Sequence, residues 1–157
     1  MAVTQKIMLV AADRGHARFF SIAHNQEELQ ELNDLVNADA RRPANSLASD
    51  RQGRSLNRER GSRAALGRDN LQNDSARRFA HRVATLIVGK LLGRSIIRLF
   101  IIADPEFLGM LRSELRTHKL TVPLRFIAKN VTRTSNERIR SYLPKRLWPR
   151  RIMDVEV

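Results

Sequence analysis

The sequence has 157 residues, and its 29 Lys and Arg against 16 Asp and Glu leave a formal charge of +13 on what its length makes one domain. With 42% hydrophobic residues the chain can build a core, which excludes a wholly disordered polycation. The absence of cysteine excludes disulfide scaffolds, thiolate metal sites and thiol catalysis, and no apolar run reaches the roughly 18 residues that suggest a membrane span.

Residues Met1 to Ala12 lack the basic start and cleavage pattern of a signal peptide, so a cytoplasmic location is expected. Lys6 to Ala12 (KIMLVAA) and Ala17 to Ala23 (ARFFSIA) are short apolar runs separated by Asp13-Arg14-Gly15, which predicts two antiparallel strands. In Glu28 to Val36, Leu29, Leu32, Leu35 and Val36 recur with helical spacing, and local pattern alone slightly favours a helix.

Residues 37–73 show no periodicity and no aromatic residue, and read as one long loop. Loops of that length are usually functional or disordered. Within it, residues 41–68 carry eight arginines against Asp50 and Glu59, a net +6. A second cluster at 133–151 is also +6, which leaves the rest of the chain at +1. Most of this excess is arginine, whose planar fork grips phosphate oxygens in pairs.

Asp74 is expected to cap a helix with Ala76, Phe79, Ala80, Val83, Ile87 and Leu91 on one face and Arg77, Arg78, His81, Arg82 and Thr85 on the other, ending at Gly93. Ile96 to Ala103 (IIRLFIIA) predicts a buried strand. Asp104-Pro105 caps the next helix, with Phe107, Leu108, Leu111 and Leu115 as its apolar stripe to about Arg116. Leu124 to Lys129 predicts another strand, and Thr134 with Glu137 a capping box for a last helix to about Leu143 before Pro144. Alternating helices and strands in the second half imply parallel pairing and an α/β domain over residues 1–143, followed by a basic tail, 144–157.

Four blocks resemble the bacterial host-attachment protein family: LVAADRGHARFF (Leu9 to Phe20), SDRQGRS (Ser49 to Ser55), PEFLGMLRSEL (Pro105 to Leu115) and AKNVTRTSNERIRSYL (Ala128 to Leu143). The likeness runs from Ile7 to Leu143. That family is in turn similar to the middle domain of archaeal and eukaryotic class-I peptide release factors. The resemblance implies an RNase-H-like five-stranded mixed sheet, with three antiparallel strands first and then alternating helices and parallel strands. It makes Glu28 to Val36 the third strand, which is preferred here to the local helix reading. Ser75-Ala76-Arg77-Arg78-Phe79-Ala80 matches the release-factor sequence after its Gly-Gly-Gln, whereas the three preceding residues are Gln72-Asn73-Asp74. The hydrolytic motif is absent, which disfavours peptidyl-tRNA hydrolysis and leaves docking on ribosomal RNA or tRNA.

The expected function is RNA binding by a non-enzymatic, ribosome- or tRNA-associated factor of the hibernation, rescue or protection type. The candidate contacts are Arg51, Gly53, Arg54, Arg58, Arg60, Arg63 and Arg68 in the loop, Arg77, Arg78 and Arg82 on the helix, and Lys145, Arg146, Arg150 and Arg151 in the tail. A loop without aromatics is poorly suited to stacking on single strands, and structured RNA read by backbone and shape fits better. The first alternative is a surface adhesion protein, as the family name suggests. A second is a metal-dependent nuclease or hydrolase using Asp13 and Asp104, which are otherwise explained as a turn residue and a helix cap. The histidines lack paired ligand spacing, Gly53, Gly61 and Gly67 do not follow a strand as a nucleotide-binding loop must, and no cofactor is implied.

Overall fold

A computed structural model describes residues 4–24, 26–41, 61–93 and 95–148, without the side chains of 41 and 61–69. The central strands are β1 (Lys6–Ala12) and β4 (Ile96–Ala103), which bury side chains on both faces, as their near-continuous apolar sequences require. With β2 (His16–Ala23), β3 (Gln30–Val36) and β5 (Leu124–Ala128) they form one five-stranded sheet in the order β3-β2-β1-β4-β5. The first three strands pair antiparallel, while β1 with β4 and β4 with β5 pair parallel. The fold is a mixed α/β sheet.

The third strand is where local pattern misleads. Phe19 pairs with Asn33 and Phe20 with Glu31, so Leu32 is the extra residue of a β-bulge. The bulge resets the two-residue alternation midway along the strand. Leu35 then packs against the core on one face and Leu29 against the core on the other, and the resulting three-residue spacing imitates a helix.

Helix α1 (Gly61–Leu91) and helix α2 (Pro105–Arg116) cover one face of the sheet, where Phe79 and Phe107 meet with ring centroids 5.8 Å apart. Ala76, Ala80, Val83, Ala84 and Ile87 complete the buried stripe of α1. This helix begins at Gly61, thirteen residues before the expected cap at Asp74, and so shortens the predicted loop of residues 37–73 from its C-terminal side. A turn of 3-10 helix, Ala38–Arg41, shortens it from the other. The amphipathic stripe starts only near Ala76, which is why periodicity missed the first turns. Once a packed segment supplies the nucleus, extension by ordinary helix formers such as Ala64, Ala65 and Leu66 costs little.

The opposite face is covered by helix α3 (Asn136–Ser141) and the residues after it, through Val131, Ile139, Leu143 and Leu147. The packed chain therefore extends past the boundary expected at Leu143. Leu147 is buried, its carbonyl accepts from Arg98 Nη1 at 2.9 Å, and Trp148 sits edge-on to His24. The cap of α3 is Ser135 and not Thr134, because Ser135 Oγ accepts from Arg138 N while Thr134 Oγ1 donates to Val131 O. Glu137 then falls one position short of the capping-box site. Replacing Ser135 by Ala is expected to cost about 1 kcal/mol in urea unfolding, whereas Glu137→Ala should change stability by less than about 0.5 kcal/mol.

Candidate functional site

Three strands, β1, β4 and β5, run in the same direction, so the turns after them gather at one edge of the sheet. This is where open α/β sheets most often bind ligands. The edge holds a groove of about 550 Å³ lined by Asp13, Arg14 and His16 after β1, Asp104 after β4, Asn130, Thr132 and Arg133 after β5, and Ala40 of the 3-10 turn.

Asp13 shapes it. Its Oδ1 accepts from the backbone N–H of Gly15 and of His16, both at 2.8 Å, and its Oδ2 accepts from Thr132 Oγ1. This joins the β1–β2 turn to the loop after β5, across residues distant in sequence. Asp104 Oδ1 accepts from Phe107 N at 3.1 Å as the cap of α2. Arg14 is paired with Glu106, and His16 Nε2 lies 3.2 Å from Asp34 Oδ2. The two aspartates singled out in the sequence thus line one groove, but both oxygens of Asp13 are engaged in holding its walls. Among the described residues no three His, Asp or Glu side chains gather as a metal-ligating group. Loss of the Thr132 hydroxyl in Thr132→Val is expected to cost about 1–2 kcal/mol, read as a lower urea midpoint, and to shift the amide resonances of Gly15 and His16 across the groove.

A smaller pocket of about 180 Å³ adjoins the groove, sharing Arg14 and Ala40 with it. Its floor is Asn37, which is buried; the Asn37 N–H donates to Gly15 O, and Nδ2 donates to Arg14 O and to Ser75 Oγ. Through Asn37 and Ser75 the end of β3, the β1–β2 turn and α1 are locked together. In the chain, the segment 42–60 lies between the 3-10 turn, whose Ala40 lines the groove, and the start of α1 at Gly61.

Of the residues expected to contact RNA, Arg51, Gly53, Arg54, Arg58, Arg60, Arg150 and Arg151 lie outside the described residues, as does the SDRQGRS block. Arg63 and Arg68 fall on the first turns of α1. Arg77, Arg78 and Arg82 are exposed on the same helix; Arg78 Nη2 is 3.9 Å from Asp39, and the Arg82 guanidinium lies over the Phe79 ring. Lys145 and Arg146 are exposed too, but on the layer that covers the opposite face of the sheet. The structure brings the helix arginines near the start of the basic stretch and separates them from Lys145 and Arg146.

The sequence reading missed Arg18, Asn37, Asn130, Thr132 and Arg133. Arg18 is only 13% exposed, donates to both carboxylate oxygens of Glu31, to the carbonyls of Thr132 and Thr134 and to Asn136 Oδ1, and stacks over Phe20. Its hydrogen bonds to Glu31 raise the Arg18 pKa and hold the Glu31 carboxyl below the usual carboxylate range. A hydrogen bond from Arg138, with Lys129 near the ring, lowers the Tyr142 pKa in the same loop region. The signal for Arg18, Asn130, Thr132 and Arg133 was present as sequence blocks, since the stretches Leu9 to Phe20 and Ala128 to Leu143 are the two that meet at Asp13 and Thr132, whereas Asn37 lies in neither.

A family model described as "Protein required for attachment to host cells" matches residues 8–143. The chain belongs to this host-attachment family. No curated protein matches it. The matched span of the host-attachment domain contains all of the sheet except Lys6 and Ile7 of β1, together with the basic stretch and every residue lining the strand-end groove. No helix among its described residues is long and apolar enough to cross a membrane.

Proposed function

We propose that this host-attachment protein binds structured RNA as a cytoplasmic, ribosome- or tRNA-associated factor of the hibernation, rescue or protection type, acting by occupancy and not by turnover. The observation that carries the reading is charge placement. A +6 stretch, 41–68, runs in the chain from the last residue of the 3-10 turn into the first turns of α1, and the exposed Arg77, Arg78 and Arg82 continue along that helix, while the rest of the chain outside the two basic clusters is nearly neutral. Arginines spaced along a helix and its leading segment suit a phosphate backbone followed by shape.

The resemblance to the release-factor middle domain supports the translation machinery as the setting. A five-stranded sheet whose first three strands are antiparallel is what an RNase-H-like domain of that kind would have. In the release factors the loop before the long helix reaches the catalytic centre of the ribosome. Here Gln72-Asn73-Asp74 replaces Gly-Gly-Gln, and the segment before the helix is rich in arginine. Co-sedimentation with ribosomes tests the proposal: the full chain should pellet at low salt and be released at high salt, and a chain lacking residues 43–60 should stay in the supernatant. Binding unaffected by that deletion would overturn it.

The family description favours a second reading, a direct part in attachment to host cells. Fractionation separates the two, because an adhesion protein is recovered on the outer surface of the cell.

A further inference from the structure

We infer that the strand-end groove is a nucleotide site that takes a 5′-phosphorylated ribose with a free 2′,3′-diol, through Asp104 and Asn130 on the hydroxyls and Arg133 on the phosphate. The inference draws on the RNA-binding reading for the class of ligand, while the groove itself stands on its own geometry. Its volume, about 550 Å³, falls in the range of small-molecule pockets.

The lining chemistry selects among ligands. Asp13 has hydrogen-bond donors on both oxygens, so it supports the walls and offers little to a ligand. Asp104 gives Oδ1 to the helix cap, and among the described residues no side-chain donor is bonded to its Oδ2. That oxygen is an acceptor on a residue that lines the groove, as does the exposed Asn130, whose Oδ1 lies 3.3 Å from Thr132 Oγ1 and whose amide N–H groups are donors for a ligand. Arg133, exposed on the same rim, supplies a fork for a phosphate. A purely anionic ligand such as pyrophosphate would meet the two aspartates, and a purely cationic one would meet Arg14 and Arg133. A nucleotide with a free diol carries hydroxyl donors at one end and a dianion at the other, and it satisfies both sets.

The test is a titration of the full-length, isotope-labelled protein with adenosine 5′-monophosphate and with its 2′,3′-dideoxy analogue, followed through the backbone amides of Asp104 and of residues 130–133. Adenosine monophosphate should saturate these shifts at a concentration at least about tenfold below the analogue, because hydrogen bonds to a carboxylate are the strong ones. Asp104→Asn keeps the helix cap, since Asn and Asp cap equally well, and should erase the tenfold difference. Arg133→Ala should weaken both nucleotides by the same factor. Groove amides that do not respond to millimolar adenosine monophosphate, equal affinity for the two nucleotides, or a difference that survives Asp104→Asn would each overturn the inference. An RNA hairpin ending in a 3′ diol, compared with one ending in a dideoxy nucleotide, identifies the source: a preference for the diol assigns the groove to RNA ends. Equal hairpin binding with the monophosphate response intact assigns it to a free nucleotide. Failure of the RNA-binding reading shows up elsewhere, as hairpin binding indifferent to loss of residues 43–60, and leaves the mononucleotide titration unchanged.

Discussion

Arg18→Ala is expected to lower the unfolding free energy by about 3 kcal/mol, a large share of what holds a domain of this size together. The guanidinium is mostly buried and ties three separate parts of the chain: Glu31 on the edge strand, the carbonyls of Thr132 and Thr134, and Asn136 at the start of α3. Truncation leaves the part-buried Thr132 and Thr134 carbonyls and Asn136 Oδ1 without a donor, a penalty larger than the net value of those bonds, while the more exposed Glu31 carboxylate loses a charged bidentate partner. Arg18→Lys should recover little, since a single ammonium cannot meet two carboxylate oxygens and two carbonyls with the geometry of a planar fork. Urea unfolding of the three proteins at neutral pH gives the comparison, and a loss below about 1 kcal/mol for Arg18→Ala would show that the network is ornamental.

The same network fixes a pH dependence. Arg18 depresses the Glu31 pKa in the folded state, so the pair's stabilisation is fully present above the unfolded carboxyl value and is lost as pH falls through the folded one. The unfolded value is about 4.3, so the wild type and Arg18→Ala should differ by a constant amount from neutrality down to about pH 5. Below that their stabilities should converge, because protonated Glu31 no longer gains from the arginine. A gap that widens on acidification would contradict the assignment.

Sequence pattern reveals elements that pack and is silent about those that do not. The apolar runs of β1 and β4 are central strands buried on both faces, and Asp104-Pro105 starts α2 as its capping chemistry requires. The first turns of α1 carry no apolar stripe, so nothing in their spacing announces a helix. On β3, one bulged residue, Leu32, changes the phase of the alternation and disguises a strand. At Thr134-Ser135 two adjacent hydroxyls compete for one cap, and local sequence does not say which wins. The groove is hidden for another reason. Asp13, Asp104 and Arg133 follow three different strands, and only the parallel pairing of β1, β4 and β5 makes them neighbours. Arg18 is one of 29 cations by composition, and its burial alone sets it apart.

Replacing Arg51, Arg54, Arg58, Arg60 and Arg63 together with Gln should produce the largest functional loss. Each phosphate contact adds about 0.9 to the slope of log affinity against log salt on B-form DNA, and somewhat less on single strands, so removing up to five contacts should lower the slope magnitude by as much as about 4. At moderate salt that corresponds to several decades of affinity for a structured RNA. Gln keeps much of the side-chain length and polarity, so the change reports on charge. The opposite layer supplies the control. Lys145 and Arg146 lie across the sheet from α1, and a rigid RNA helix engaged on the α1 side does not reach them, so Lys145→Gln with Arg146→Gln should change the slope by less than about 1. Arg77, Arg78 and Arg82, which continue along the helix from the basic stretch, should fall between these limits. If the two faces instead contribute in proportion to their charge, the protein behaves as an unoriented polycation, and the reading of the basic stretch as the docking element fails.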